Sequence, residues 1–345
     1  MQIPDQPNAT QTIEGPLPEG APDNVFTAGD PVIEMKGVMK RFGDAEAVKD
    51  VTFTVNSGEI FGFIGPSGSG KTTTIRLMNG NLRPTAGTVT VFGQRADHMS
   101  GHARESIGYL PQLFILYPNL SVRENIDFSA SLYGMSWFGR RKRRRAILDF
   151  VELWDHRSKL ARDISGGMQR RLSLASSLIH NPRLIFLDEP TAGIDPILRA
   201  KFWDAFRALK AEGRTLFVTT QYVTEAEYCD HVAVLGQNRV IAIDTPEGLR
   251  KRAFGGEVVE VRSGQIGHAT RPLLHRVKGV RSIDTSVPGR ARLVVEDAPT
   301  AMPTIVDLLR GENLEVEGIE QYRPTFDEVF VRLLEKHQDQ EAQSA

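Results

Sequence analysis

The sequence predicts an α/β protein, a mostly parallel sheet wrapped by helices, followed by a smaller α+β unit. Three observations carry this. Short apolar runs alternate with helix-compatible stretches from residue 31 to about residue 250. One apolar run leads into a glycine-rich loop that opens a helix, the arrangement of a P-loop. The last 95 residues change rhythm to a βαββαβ order, which suits a small split-βαβ (ferredoxin-like) sandwich.

The elements follow in order. Residues 1–30 hold five prolines and five acidic residues without Lys or Arg, and are expected to form a disordered leader. Strands are expected at 32–35, 51–55 and 60–64, then the glycine loop at 65–72 and a helix over 73–78. Strands at 89–92 and 107–110 precede a helical stretch from 122 to about 154, interrupted near 134–139. A helix starts near Ser165, followed by a buried strand at 184–187, a helix at 201–211, a strand at 215–219 and a short helix at 225–228. Two further runs, 232–235 and 239–243, can pair across Gly236 and Gln237. In the C-terminal part, strands are expected at 258–261, 280–283, 292–295 and 316–319, with helices at 270–276 and 302–309. A closing helix over 326–334 then gives way to a flexible polar tail at 337–345. The domain boundaries are therefore placed at 31–250 and 251–336, with no tandem repeat.

Composition narrows the function classes. Of 345 residues, 40% are apolar, enough for a substantial core and too many for wholesale disorder. The 43 acidic and 42 basic residues nearly cancel, so net charge gives no argument for nucleic acid or an anionic membrane. Cys229 is the one cysteine and cannot form an intrachain disulfide, which favours a reducing compartment. The start lacks the basic and apolar regions of a secretory signal, and no apolar stretch is long enough to span a bilayer. Membrane association through a partner stays open.

Three segments carry chemistry. Gly65, Pro66, Ser67, Gly68, Ser69, Gly70, Lys71 and Thr72 match the P-loop pattern, and Thr73 continues the helix. Glycine-turned backbone amides cradle phosphate oxygens, Lys71 adds a mobile positive charge, and Thr72 offers a Mg2+ ligand. The run at 184–189 is an apolar strand that delivers Asp188 and Glu189 at its end. Asp188 can hold a magnesium-bound water, and Glu189 can orient the attacking water or accept its proton. Two surface acids after a strand is the plain alternative. Ser165, Gly166 and Gly167, followed by Gln169, lie 23 residues before Asp188 and form a third glycine-containing anion site, with a simple helix cap as the alternative.

In this order, the P-loop, SerGlyGlyMetGln and LeuAspGluPro resemble the ATP-binding subunit of an ABC transporter over residues 32–249, close to the daunorubicin/doxorubicin resistance branch of ABC-2 exporters. The resemblance implies a P-loop NTPase cassette with a helical signature subdomain at about 113–180, acting on ATP with Mg2+. It implies two cassettes packed head to tail, most simply a homodimer. Each ATP would be held by one P-loop and by Ser165, Gly166, Gly167 and Gln169 of the other copy. Asp195 matches the D-loop that couples the sites. Gln112 matches the glutamine that senses magnesium and contacts the permease. Phe42 matches the position that stacks on adenine, with a core position as the other reading. Glu189 and Lys71 take the catalytic roles, and Thr72, Gln112 and Asp188 face the metal. Gln221 stands where the family usually has a γ-phosphate histidine; it can donate a hydrogen bond but cannot hold a proton as imidazole does.

The resemblance also implies a peripheral position on the cytoplasmic face, under a separate ABC-2 permease of about six bilayer-crossing helices per subunit. Leu116, Tyr117, Leu120 and Val122 would form its docking patch, or else pack within the helical subdomain. The basic run from Arg140 to Arg145 suits a solvated surface or acidic lipid contact. Nucleic acid is the least favoured partner, since no aromatic interleaving accompanies the run. Residues 324–333 resemble the closing segment of an exporter accessory domain, with Phe326, Val329, Phe330 and Leu333 as a packing face. The implied cargo is a drug-like, lipid or other amphipathic compound. The rival readings are a soluble ABC ATPase acting on nucleic acid, ribosome or a protein assembly, and a weakly hydrolysing regulatory module.

Overall fold

The computed structural model describes residues 27, 29–113 and 115–344. The leader expected over 1–30 thus lies outside the described residues, apart from the turn in which Asp30 accepts the Thr27 amide at 2.7 Å. The chain divides into two compact units. One runs to Gln221 and takes in Gln237–Arg239; the other comprises Tyr222–Gly236 and the chain from Val240 on.

In the first unit, β1 (Pro31–Phe42) and β2 (Ala45–Asn56) form a hairpin, and β3 (Ile60–Ile64) leads through the glycine loop to α1 (Lys71–Met78). β4 (Ala86–Val91), β5 (Gln94–Arg95), α2 (Gly101–Glu105) and β6 (Ile107–Leu110) follow. The helical part contains α3 (Val122–Leu132), α4 (Trp137–Phe150) and α5 (Gly166–Leu178). The chain returns through β7 (Leu184–Asp188), α6 (Pro196–Ala211) and β8 (Thr215–Thr220).

Parallel pairing joins β3 to β8, β8 to β7 and β7 to β6. Every residue of β3, β7 and β8 is buried, which is why the strands are mostly apolar, with Asp188 ending β7 and threonines at both ends of β8. The second sheet has the order β2-β1-β4-β5. Phe53 on β2 packs against Phe61 at 5.4 Å and Phe63 at 5.5 Å, and both rings pack on Phe217, so the two sheets share one aromatic core. β1 and β2 each run 12 residues, longer than their sequence pattern suggests. Register shifts within the hairpin break the period-two alternation that would have revealed them. α3 starts on a capping box: Ser121 Oγ accepts the Glu124 amide at 3.2 Å, and Glu124 accepts the Ser121 amide at 2.8 Å.

The second unit begins with a 3-10 turn over Val223–Tyr228, then β9 (His231–Gly236), its neighbour β10 (Arg239–Asp244) and α7 (Pro246–Phe254). β11 (Glu257–Arg262), α8 (Arg271–Leu274), β12 (Val280–Asp284), β13 (Arg290–Val295), α9 (Ala298–Gly311) and β14 (Gly318–Tyr322) build the expected βαββαβ unit. Its antiparallel sheet has the order β12-β13-β11-β14, that of a split-βαβ sandwich. Val259, Val261, Leu293, Ile305 and Leu309 lie in its core.

The final helix, α10 (Phe326–Ser344), differs from expectation in two ways. It continues through residues 335–344, expected to be mostly tail, because that stretch is rich in Glu, Gln, Lys and Ala and has no Gly or Pro. It also shares a compact unit with Tyr222–Gly236, which precede the expected domain boundary at residue 250. Leu334 of α10 packs so close to β9 that a Cβ on Gly236 would lie 2.9 Å from its Cδ2. Arg250 of α7 donates to the Pro324 carbonyl at 3.1 Å and pairs with Glu227 of the 3-10 turn. Phe326, Val329 and Leu333 form the buried stripe of α10, with Phe330 half-buried beside it.

Candidate functional site

The phosphate cradle begins where β3 ends. Gly68 and Gly70 take φ values of 81 and 92, open to glycine without steric cost. At Gly70 no other residue fits, since a Cβ would sit 2.3 Å from the Ala47 carbonyl oxygen. Lys71, Thr72 and Thr73 form the first turn of α1, whose N-terminal amides and dipole favour an anion at the loop. Lys71 is buried, and its Nζ donates to the Gly65 and Pro66 carbonyls, at 2.9 Å each. Pro66, Ser67 and Gly68 are exposed, while Ser69 is buried with no partner for its Oγ among the described residues.

β7 delivers the two carboxylates. Asp188 is 0% exposed, and its Oδ1 accepts from Thr219 Oγ1 at 2.7 Å. Burial pushes its pKa above the ordinary carboxylate range, opposed by the Thr219 and Thr72 hydroxyls. Even so, Asp188 Oδ2 has no donor of hydrogen-bond geometry among the described residues. Glu189 lies one residue past the strand in a left-handed conformation, φ 48. Its amide is held by the Thr219 hydroxyl at 3.0 Å, and its carboxylate is gripped from two sides: Lys71 Nζ lies 3.1 Å from Oε1, and Gln112 Nε2 donates to Oε2 at 3.0 Å.

Thr72, Tyr109, Gln112 and Asp188 line one cavity of about 720 Å³. Burial, with Asp188 nearby, raises the Tyr109 phenol to about 12. Mg2+ takes few protein oxygens and keeps several waters. The unpartnered oxygen of Asp188, the Thr72 hydroxyl and the Gln112 amide oxygen are a donor set of that kind.

The signature segment is built as a helix start. Ser165 caps α5 and accepts the Met168 amide at 3.3 Å, with Gly166 exposed beside it. At Gly167 a Cβ would lie 2.8 Å from Leu198 Cδ2, so a side chain there would require Leu198 to shift. These residues are not among those lining the cavity. Gln169, a nucleotide-binding candidate, turns away: its amide donates to the Ala161 carbonyl at 2.8 Å. Asp195 caps α6, its Oδ1 accepting from the Ile197 and Leu198 amides at 3.0 and 2.9 Å. Gln221 is exposed just past the end of β8. Phe42 is 50% exposed with Lys40 Nζ 5.1 Å from its ring centre, so the core reading of that residue is corrected. Sequence reasoning missed Thr219 and Arg170. Thr219 is one of three threonines on β8, the strand beside β7, and its pairing with Asp188 sets it apart only in the fold.

Comparison with known proteins places the start of the C-terminal part at residue 245, near the expected boundary and later than the compact unit that begins at Tyr222. The ABC transporter family profile matches residues 48–192, and the profile "ATP-binding protein DrrA1-3-like, C-terminal domain" matches residues 245–334. The chain is 38% identical over 313 residues to the daunorubicin resistance ATP-binding protein DrrA3 of Streptomyces coeruleorubidus, covering 88% of this chain and 96% of that one. The chain belongs to the ABC transporter ATP-binding subunits, in the DrrA-type exporter branch. It is also 39% identical over 231 residues to the probable multidrug ABC transporter ATP-binding protein YbhF of Escherichia coli, covering 67% of this chain but only 40% of that relative's length. Among solved structures, a dimeric post-hydrolysis state of an ATP-binding cassette bound to ADP and Pi matches with a TM-score of 0.56 at 27% identity, over 62% of this chain and 98% of that one.

As a member of this branch the cassette is an ATP-hydrolysing enzyme. Two surface expectations for it need correction. The basic run is not one charged face, because helical rotation sends its members in different directions. Arg143 is buried and donates to the Ile179 and Leu178 carbonyls and to Asn181. Arg144 pairs with Asp127 at 2.6 Å, Arg145 pairs with Asp149 at 2.5 Å, and Arg140 donates to Met135 and Ser131. Of the expected apolar patch, Val122 is fully buried, Leu116 and Leu120 are half-buried and Tyr117 is exposed, while Leu113 and Ile115, beside Gln112, are 84% and 82% exposed. No helix among the described residues is long and apolar enough to cross a membrane.

Proposed function

We propose that this chain is the motor of an exporter, working as a pair of cassettes on a separate ABC-2 permease that carries a drug-like, lipid or other amphipathic compound. One observation carries the reading: the Glu189 carboxylate sits between Lys71 and Gln112, next to an Asp188 oxygen left unpartnered beside the phosphate cradle. Lys71 and the loop amides take the phosphate oxygens. Mg2+, when bound by Asp188, Thr72 and Gln112, neutralises the charge developing on the transferred phosphoryl group. Glu189 orients the attacking water and accepts its proton, with Gln112 and Lys71 fixing its oxygens. Ser165, Gly166 and Gly167 of the second copy close on the γ-phosphate through the free amides at the start of α5. Loss of that phosphate releases the pair.

The dimeric cassette relative supports the pairing, and the similarity to a probable multidrug ABC transporter ATP-binding protein and to a daunorubicin resistance ATP-binding protein supports export. The exposed Leu113 and Ile115 next to Gln112 offer an apolar contact for a permease segment whose movement would reach the hydrolytic site. Substitution Glu189→Gln tests the reading. Turnover should fall about 100-fold or more, while ATP affinity stays within roughly threefold. Near-normal turnover would remove Glu189 from its role.

A further inference from the structure

We propose that Arg170 is a positioning residue for ATP hydrolysis, binding the main chain of the Glu189 turn and of the Gln112 segment to the signature helix. The proposal rests on the assignment of Glu189 as the base.

Arg170 lies on α5, one turn past Gly166, and is 4% exposed. Its guanidinium donates to three carbonyls: Nη2 to Glu189 at 2.5 Å, Nε to Pro190 at 2.9 Å and Nη1 to Gln112 at 2.8 Å. The acceptors belong to the two segments that supply the carboxylate and its amide partner. The Glu189 turn needs such support. A glutamate at φ 48 is in the left-handed region, which persists only where its surroundings impose it. Thr219 holds the amide side of Glu189, through both its carbonyl at 3.1 Å and its hydroxyl at 3.0 Å. Arg170 holds the carbonyl side. With both ends of the residue fixed, its Cα–Cβ direction is set, and Lys71 and Gln112 then hold the carboxylate.

The residue type matters. A planar guanidinium presents several donors in a fixed fork, whereas a lysine offers a single ammonium on a flexible stem. The bonds are charge-assisted and shielded from water, which strengthens each of them. Burial pulls the Arg170 pKa down, while Asp188 and Glu189 act the other way. The same helix starts at Ser165, so in a paired cassette a displacement of α5 by the second ATP would pull on the Glu189 and Gln112 carbonyls. Arg170 thereby ties the signature segment of one nucleotide site to the hydrolytic residues of the other.

The test uses the full chain carrying Arg170→Gln or Arg170→Lys, each alone and combined with Glu189→Gln. Turnover is measured with Mg-ATP in steady state and by single-turnover phosphate release. ATP affinity is read with a fluorescent ATP analogue, and folding by thermal melting. Arg170→Gln should lower kcat about 30-fold or more with KM and ATP affinity within roughly threefold, and Arg170→Lys should recover part of the loss. In the Glu189→Gln background the Arg170 substitutions should slow phosphate release no further than about twofold, because both act through one group. The proposal is overturned if kcat stays within about threefold of the parent, if the losses multiply in the double variant, or if both Arg170 variants lose their fold or ATP binding together. A Glu189→Gln protein with near-normal turnover overturns the base assignment, and this inference with it. A slow Glu189→Gln protein beside an unimpaired Arg170→Gln protein overturns the inference alone.

Discussion

Substitution Thr219→Val probes the electrostatics of the site with almost no change of shape. The hydroxyl donates to Asp188 Oδ1 at 2.7 Å and accepts the Glu189 amide at 3.0 Å. Valine keeps the packing, and the Glu189 amide keeps its bond to the Thr219 main-chain carbonyl at 3.1 Å, so the turn should survive. Asp188 then loses a hydrogen bond to a fully buried carboxylate, worth about 1.5–3 kcal/mol for the charged form. Its pKa therefore rises further from a value that burial has already raised. The sign is fixed: a higher pKa keeps the carboxyl protonated to higher pH. The acidic limb of the kcat/KM profile for Mg-ATP should move to higher pH. Below that limb more Mg2+ should be needed for half-maximal rate, since metal and proton compete for Asp188. A pH–rate series at several Mg2+ concentrations measures both effects. An unmoved limb together with unchanged Mg2+ dependence would refute the placement of Asp188 at the metal and of Thr219 as its tuner.

Three further outcomes are expected. His180 stacks on Tyr133 with ring centres 3.6 Å apart, and burial lowers its pKa to about 4 from 6.5. The unfolded chain takes this proton first, so stability present above 6.5 is lost as pH falls toward about 4, by about 3 kcal/mol; urea melts of His180→Phe should lack that loss. Arg143→Met leaves the carbonyls at the end of α5 without their donor and should cost about 2–4 kcal/mol by the same melts; a loss under about 0.5 kcal/mol would contradict the buried role. Gln221→His puts a group able to hold a proton just past the end of β8, where the family resemblance implies a γ-phosphate contact, and should raise kcat, whereas an unchanged rate would mean that Gln221 does not limit hydrolysis.

Much of the site was legible because its chemistry is local. The loop from Gly65 to Thr72 needs its glycines for backbone reasons, and an apolar run before Asp188 and Glu189 must be a buried strand. The missing parts depend on distant partners or on helical rotation. Arg170 reads as one more polar residue after SerGlyGly, because its acceptors are main-chain oxygens 20 and 58 residues away along the chain. The run from Arg140 to Arg145 reads as uniform charge, yet helical rotation buries Arg143 against the end of α5 and leaves its neighbours Arg141 and Lys142 exposed. Gln169 belongs to the signature in sequence, but its amide serves the loop at Ala161. The boundary at residue 250 was placed by a change in strand rhythm. The packing of α10 on β9 and α7, which sets the compact units, comes from contacts that rhythm does not record.

The most direct test of the account is the ATP-loaded assembly of the Glu189→Gln chain. Sedimentation with and without Mg-ATP, followed by structure determination of the loaded form, would show where the γ-phosphate lies. The account predicts dimers only with nucleotide, each γ-phosphate lying between Lys71 of one copy and the Ser165–Gly167 segment of the other. ATP bound to a persistent monomer, or to a dimer whose signature segment stays away from the phosphate, would contradict it.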